Sequence, residues 1–216
     1  MIKRRAPYFD NRNGNLLANS FADNCYWLYE NLFSKEEVEY IHKVFDDKSR
    51  HDATVGSGSE KELNTIVRKS RVSFHSDEDL NSLLNLKIGY AIQQANWKYD
   101  ITLMESPQYT IYNADGSHYE YHVDNFNNAK ESTIRKISCS ILLSDSHDYQ
   151  GGQFQFIQYK WSRKDNKLIS SPITISNLKS KGSALLFPSF TYHRVLPVTK
   201  GIRKSLVIWL RGPDWK

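Results

Sequence analysis

The sequence is poor in cysteine and contains no long apolar run. Its 216 residues include 2 cysteines, Cys25 and Cys139, too few for a disulfide framework. Cys139 alternates with apolar neighbours, so we expect it to be buried. No stretch approaches the roughly 20 apolar residues of a membrane span, and mean hydropathy is -0.61. The N-terminal stretch MIKRRAPYFDNRNGN lacks the apolar core of a signal peptide. These absences predict a cytoplasmic protein that does not enter a membrane.

Acidic residues are fewer than basic ones, which raises the question of a nucleic-acid partner. The 29 lysines and arginines outnumber the 24 acids, for a net charge of +5. The basic residues are scattered, however, and their denser runs (MIKRR, KWSRKDNK, KSK) read as a terminus and loops. We therefore interpret the excess charge as solvated surface and do not expect nucleic acid to bind.

The helical patterns lie in the first hundred residues, and the chain shows no internal repeat or low-complexity linker. In FSKEEVEYIHKVFDD, Ser34 and Glu37 have the spacing of a capping box before an apolar helical stripe. In SDEDLNSLLNLKIGYAIQQANW, Ser76 is the predicted cap and acids fill the first turn. The segment TIVRKSRVSF between them reads as a strand. With 39% apolar residues the chain can build a sizeable core.

From about residue 100 the pattern changes to short strands separated by turns. Eight strands are predicted, namely PQYTIYN, HYEYHVD, ISCSILLS, GQFQFIQY, PITISN, SALLFP, TYHRVLPV and RKSLVIWLR. Helices followed by strands, rather than alternating with them, indicate an α+β fold. Eight strands suit a sandwich or jelly roll.

Histidine and acid pairs suggest a site within these strands. Three His-x-acid pairs occur, namely His75/Asp77, His118/Glu120 and His122/Asp124. The first crosses a helix start, where the helix dipole already explains the acid. The other two lie in HYEYHVD, and alternation in a strand would place all four side chains on one face. Their spacing alone does not decide between them.

The end of the chain supplies a third ligand and a cation. His193 lies on the penultimate strand, and Arg203 opens the last strand ten residues later. Two histidines and one carboxylate are the ligand set of a non-haem Fe(II) oxygenase, with positions left for a 2-oxo acid and dioxygen. A guanidinium turned into a barrel is costly without an anion. The far carboxylate of 2-oxoglutarate would provide that anion through two hydrogen bonds.

Several motifs occur together in a fixed order. Tyr112, Gly116, Tyr119, His122 and Asp124 form Y-x3-G-x2-Y-x2-H-x-D, and DYQGGQF, KGSALLFPS and HRVLPVTKGIRKSL follow. Over about residues 105–211 the sequence thereby resembles the Fe(II)/2-oxoglutarate-dependent dioxygenases, and within them the prolyl 4-hydroxylase-like group. The resemblance implies a double-stranded β-helix (jelly roll) over residues 105–216, with residues 1–104 as a helical and strand support packed against it.

The resemblance also implies cofactors and residue roles. Fe(II) would be the metal, and 2-oxoglutarate and dioxygen the cosubstrates. The implied roles are iron ligation for His122, Asp124 and His193, 2-oxoglutarate binding for Arg203 and Tyr112, and substrate binding for Arg135 and Trp209. The expected reaction is C4 hydroxylation of a prolyl residue in a peptide or protein.

Two departures leave the subgroup and its substrate open. Arg203 replaces the lysine of collagen-type prolyl hydroxylases, and Leu142 stands where some oxygen-sensing relatives have tyrosine. One alternative is a nucleic-acid-acting oxygenase of the same superfamily, although its R-x5-R ending does not match Arg203 and Arg211, which are eight residues apart. A catalytically silent jelly-roll binding module and a zinc hydrolase are further alternatives. Little chain follows the last strand, so we expect a monomer.

Overall fold

The computed structural model describes residues 26–56, 62–125 and 132–214. The basic N-terminal stretch and Cys25 lie outside these residues. Cys139 is fully buried, as expected, and burial raises the pKa of its thiol. Among the described helices, none has the length and apolar character needed to cross a membrane.

Two helices are described, and both begin at a side-chain cap. Helix α1 spans Lys35–Val44 and has the predicted capping box, in which Ser34 and Glu37 each accept the other's backbone N–H. Helix α2 spans Glu78–Ala95, and here the predicted cap was wrong by one residue. The carboxylate of Asp77 accepts the Leu80 N–H at 2.8 Å, while the Ser76 hydroxyl donates to Asn81. A carboxylate at this position also interacts favourably with the helix dipole.

Fourteen strands are described, and they include all eight predicted from the sequence. Their bounds are β1 Trp27–Tyr29, β2 His51–Asp52, β3 Arg68–Lys69, β4 Arg71–Phe74, β5 Leu103–Met104, β6 Gln108–Asn113, β7 His118–His122, β8 Thr133–Leu142, β9 Tyr149–Gly151, β10 Phe154–Ser162, β11 Lys167–Thr174, β12 Ala184–Pro188, β13 His193–Val195 and β14 Val198–Pro213. The last strand begins earlier than predicted, because Val198 and Gly201 pair with the short strand β9. Strand β11 also begins earlier, at Lys167, because β10 and β11 form a long hairpin.

The strands form two antiparallel sheets. The larger sheet has the order β1-β12-β8-β14-β6-β4-β2, with β5 and β9 also paired to β14. The smaller sheet has the order β11-β10-β13-β7-β3. Non-sequential neighbours within each sheet, with helices preceding the strands of the core, confirm the expected α+β jelly roll.

Two apolar cores lie on opposite faces of the larger sheet. On β12, Ala184 and Leu186 belong to the core shared with the helices, whereas Leu185 and Phe187 belong to the core between the sheets. Strand β8 behaves in the same way, since Cys139 packs on the helical side. This alternation follows from the period of two in a strand. The helices therefore support the sheet from outside and leave the space between the sheets for other groups.

The corrected cap leads to a stability prediction. Replacing Asp77 with alanine removes an N-cap acceptor, so the free energy of unfolding should fall by about 1 kcal/mol. Replacing Ser76, whose hydroxyl donates to the Asn81 side chain and not to the helix backbone in the described residues, should change it by less than about half of that. Urea unfolding of both variants measures the difference. An equal loss from both would contradict the assignment of the cap to Asp77.

Candidate active site

Three potential metal ligands meet at the end of strand β7. Strand β13 pairs with β7 so that His193 lies opposite His122. Asp124 follows two residues after His122 and turns back towards both rings. The Nε2 atoms of His122 and His193 lie 3.5 Å from the two carboxylate oxygens of Asp124. The three ligand atoms lie within 4.8 Å of one another, so the group could hold one metal ion.

The alternation predicted for HYEYHVD is wrong, because a register shift interrupts β7. His193 pairs with His122, but Val195 pairs with Tyr119, three residues earlier rather than two. Such a bulge places an extra residue in one strand and re-aims its side chains. Tyr119 and His122 therefore both line the interior. His118 and Glu120 do not: Glu120 forms an ion pair with Arg194, and His118 contacts the Ile66 carbonyl.

Backbone carbonyls orient both imidazoles. Nδ1 of His122 lies 2.8 Å from the Glu120 carbonyl, and Nδ1 of His193 lies 2.8 Å from the Thr191 carbonyl. Because a carbonyl only accepts, each Nδ1 carries the proton and each Nε2 keeps its lone pair. That tautomer is the one that a metal at Asp124 requires. Hydrogen bonds of this type are typical of metal-ligating histidines.

Two serines fix the carboxylate. The Ser138 hydroxyl donates to Asp124 Oδ2 at 2.7 Å, and it also lies 2.9 Å from the Ser189 hydroxyl. The Asp124 N–H donates to the Ser189 carbonyl at 2.8 Å. Sequence reasoning missed both serines. For Ser138 the available signal was the presence of serines within the otherwise apolar strand ISCSILLS, where buried hydroxyls need a partner.

The charges of Asp124 and His193 suit metal binding. Burial alone would raise the pKa of Asp124, but its interactions with His193 and His122 hold the pKa well below its usual range. Burial, assisted by His122, lowers the pKa of His193 to about 4, against the opposing effects of Asp124 and the Thr191 carbonyl. At neutral pH the site therefore presents a carboxylate and a neutral imidazole, which are the ligand forms.

Aromatic rings enclose the two histidines. Tyr119 stacks on His122 with a centroid distance of 3.5 Å and an interplanar angle of 16°. Phe154 lies parallel to His193 at 5.4 Å, and Phe187 approaches the same ring at 4.6 Å. Burial raises the pKa of Tyr119 to about 12, so its phenol stays protonated. The apolar surroundings limit water access to the ligands.

Arg203 lies in the same cavity and is almost completely buried. It is 1% exposed, and among the described residues its Nη1 reaches the Ser205 hydroxyl at 3.4 Å while its Nε has no hydrogen-bond partner. The Tyr112 ring lies 5.4 Å from the guanidinium carbon. Within the described ranges, no carboxylate forms an ion pair with Arg203. A buried cation of this kind is stable only where an anion meets it.

Trp209 and Arg135 occupy different positions relative to the cavity. Trp209 lines it, as do Ser205 and Val207 on the same face of β14, and its buried indole N–H has no partner in the described part of the chain. Arg135 lies outside the lining: its guanidinium covers the Trp209 ring at 3.8 Å and pairs with both oxygens of Glu105. Its implied role in substrate binding stays a prediction.

Arg211 shares an acidic partner with Arg135. It lies at the end of the core strand β14, partly buried, and donates to Glu105 and to Thr133. Glu105 therefore binds two arginines. No sequence signal linked these residues, because they come from three separate strands or loops.

Comparisons with known proteins agree with this arrangement. Residues 107–211 match the family model described as the 2OG-Fe(II) oxygenase superfamily. A PKHD-type hydroxylase of Aliarcobacter butzleri (strain RM4018) is 34% identical over 188 residues, covering 84% of this chain and 76% of that protein. The chain belongs to the 2OG-Fe(II) oxygenase superfamily. A PKHD-type hydroxylase of Shewanella sp. (strain ANA-3) is 27% identical to this oxygenase over 191 residues, with the same shares covered.

Solved structures share the fold of the oxygenase. The viral collagen prolyl hydroxylase of Paramecium Bursaria Chlorella virus-1, solved as a 2OG complex, has a TM-score of 0.61 and 16% identity, covering 88% of this chain and 98% of that one. A Trichoplax adhaerens prolyl hydroxylase, solved with a hypoxia inducible factor peptide fragment, has a TM-score of 0.63 and 19% identity, covering 87% and 83%. The resemblance inferred from the sequence is confirmed at the level of superfamily and fold.

The family implies Fe(II), 2-oxoglutarate and dioxygen, and the residues present fit these groups. Two imidazoles and one carboxylate are a facial ligand set that suits Fe(II) and leaves positions open. The unpartnered Nε of Arg203 in the same cavity fits an anionic cosubstrate.

The Ser138 hydrogen bond leads to a prediction about metal affinity. Replacing Ser138 with alanine frees one carboxylate oxygen of Asp124, so Fe(II) affinity should fall by roughly tenfold or more. Ser140 also faces the cavity from β8 but forms no described bond with Asp124, so Ser140→Ala should bind Fe(II) almost as the wild type does. Anaerobic calorimetric titration measures both. Equal affinities in the two variants would contradict the role given to Ser138.

Proposed function

We propose that this oxygenase hydroxylates a prolyl residue of a peptide or protein, at C4. The observation that carries the oxygenase part of the proposal is the unpaired, 1% exposed Arg203 beside the His122, Asp124 and His193 group. When bound, Fe(II) allows 2-oxoglutarate and dioxygen to be converted to succinate and carbon dioxide, with one oxygen atom entering a C–H bond of the prime substrate.

Each residue of the chain has a distinct role in this proposal. His122, Asp124 and His193 hold Fe(II), and Ser138 keeps the carboxylate of Asp124 oriented. Arg203 binds the far carboxylate of 2-oxoglutarate through its Nε and an Nη atom, which a planar guanidinium can do bidentately.

Tyr112 and Trp209 complete the binding surface. The Tyr112 ring lies against the Arg203 guanidinium and would contact the cosubstrate chain. The unpartnered Trp209 indole N–H is a donor that a bound cosubstrate or substrate can satisfy. Arg135 lies outside the cavity lining, and its guanidinium packs on the Trp209 ring and holds that ring in place. Precise positioning of this kind is what the protein contributes to a metal-dependent reaction.

Similarity supports a prolyl substrate. The two sequence relatives described above are named PKHD-type hydroxylases, and two prolyl hydroxylases share the fold. One of these was solved with a peptide fragment bound. A screen of proline-containing peptides, with Fe(II), 2-oxoglutarate and dioxygen, tests the substrate part. Gain of one oxygen atom at proline, located by mass spectrometry, supports a prolyl substrate. Hydroxylation only of another residue, or activity only on alkylated nucleic acid, would contradict the prolyl proposal.

The cofactor assignment has a test that needs no substrate. Under nitrogen, Fe(II) followed by 2-oxoglutarate should give the visible charge-transfer band of a chelated 2-oxo acid. His193→Ala should lose the band because the metal loses a ligand. Arg203→Ala should keep it but bind 2-oxoglutarate on the order of a hundredfold more weakly, since two charge-assisted hydrogen bonds are lost. Correctly folded wild-type protein without the band would refute the oxygenase proposal and favour a binding module or a zinc enzyme.

Gly152 provides a second prediction, because it touches Arg203. A Cβ atom at Gly152 would lie 2.7 Å from Arg203 Cδ and 2.9 Å from Val198 Cγ2. Gly152→Ala should therefore displace the guanidinium and weaken 2-oxoglutarate binding several-fold. Gly116 is the matched control: it has a similar positive φ of 79° against 64°, but nothing lies within 4 Å of its Cβ position. Both variants bear the left-handed backbone cost, so an equal loss of affinity would show that strain, and not contact with Arg203, is responsible.

A further inference from the structure

A second arginine lines the cavity, and neither the sequence interpretation nor the proposed function uses it. Arg68 lies on β3, at the edge of the smaller sheet, where it pairs with Tyr119 of β7. It is 8% exposed and contributes to the lining of the same cavity as the metal ligands and Arg203. Only its position in the tertiary structure reveals it, because RKSR in the sequence reads as an ordinary basic strand.

The described partners of Arg68 leave its charge without a counterion. Its Nε donates to the Ser70 hydroxyl at 3.2 Å, and its guanidinium carbon lies 4.5 Å above the Tyr119 ring. Within the described part of the chain, no acidic side chain forms an ion pair with it. A hydroxyl and a ring face hold the guanidinium in place, but neither neutralises a charge removed from water.

The charges of the loaded site point to an anion from outside the protein. The two negative charges of 2-oxoglutarate balance the two positive charges of Fe(II). The carboxylate of Asp124 balances the charge of one of the two cavity arginines. Arg203 is the arginine with a buried, unpartnered Nε, and the far carboxylate of the cosubstrate meets it. One positive charge, that of the largely buried Arg68, therefore remains in the cavity. A cavity with one unbalanced positive charge favours a ligand that carries one negative group.

Arg68 lies on the opposite sheet from Arg203. Arg203 belongs to β14 of the larger sheet, next to Ser205, and the Tyr119 ring intervenes between Arg68 and His122. A cosubstrate that reaches Arg203 and the metal uses the side of the cavity away from β3. The space in front of Arg68 is thus left for the prime substrate.

We propose that Arg68 binds a carboxylate of the prime substrate and so makes the oxygenase selective for an acidic substrate. This inference rests on the proposed function and adds a requirement to it. The carboxylate is either the C-terminal group of the hydroxylated residue or an acidic side chain next to it, since both present the same planar pair of oxygens to the guanidinium.

Two matched pairs of probes separate these sources. The first pair is N-acetyl-L-proline and N-acetyl-L-prolinamide, which differ in a terminal carboxylate. The second pair is N-acetyl-Pro-Asp-amide and N-acetyl-Pro-Asn-amide, which differ in a side-chain carboxylate. Calorimetric titration into the wild-type protein, loaded under nitrogen with Fe(II) and 2-oxoglutarate, should show at least one acid binding tenfold or more tightly than its amide. The pair that shows the preference identifies the source.

Three variants assign the preference to Arg68. Arg68→Gln should bind the acid and its amide with similar affinity, and Arg68→Lys should recover part of the preference because it keeps the charge. Lys69→Gln is the matched control: it removes a positive charge from the next residue, whose ammonium group pairs with Asp115, and should leave the preference unchanged. A purely structural role, in which Arg68 only supports Tyr119, would weaken acid and amide equally.

The visible charge-transfer band separates failure of this inference from failure of the proposed function. Wild-type protein that forms the band but binds neither acid more tightly than its amide overturns the inference alone. The same holds if Arg68→Gln keeps the acid preference, or if it loses 2-oxoglutarate affinity as Arg203→Ala does. Absence of the band in wild-type protein overturns the proposed function, and this inference with it.

Discussion

The antiparallel pairing of β13 with β7 places His193 opposite His122, and the rest of the site is arranged around that contact. The register shift next to this pair turns Tyr119 inward beside His122. The chain then leaves β7, and the Asp124 carboxylate meets both Nε2 atoms. Because each Nδ1 is satisfied by a carbonyl close to it in sequence, the ring orientations depend on local backbone and not on the metal.

Buried charge is the second constraint on this molecule. Arg203 and Arg68 reach the cavity from different sheets, and neither has an acidic partner in the described ranges. By contrast, Arg135 and Arg211, just outside the cavity, both pair with Glu105. The protein thus gives the arginines that support the wall an acidic partner, whereas those that face the interior have none among the described residues. A buried arginine without a counterion lowers the stability of the protein. Functional sites often contain such residues, because a bound ligand supplies the missing charge.

Local patterns were reliable where one periodicity or one motif acted alone. The capping box at Ser34 and the alternation of Arg203, Ser205, Val207 and Trp209 on β14 follow directly from helix and strand geometry. Predictions failed where neighbouring residues competed or where a strand was irregular. Ser76 and Asp77 are both good caps, and the one with a charge was used. The four residues of HYEYHVD do not share a face, because the bulge opposite β13 has no signature in the sequence.

The sequence by itself determined the fold class, the strands of the core and a small set of candidate ligands, because these depend on periodicity and on motifs within short segments. The tertiary structure alone decided which polar groups share the cavity. Arg68, Ser138, Ser189 and Glu105 come from separate elements, and only the sheet pairings and the packing between sheets bring them to the ligands or behind Trp209. Which residues of distant segments meet depends on the register between strands. Whether a buried charge is paired depends on the residues that surround it, and neither property can be read from one segment.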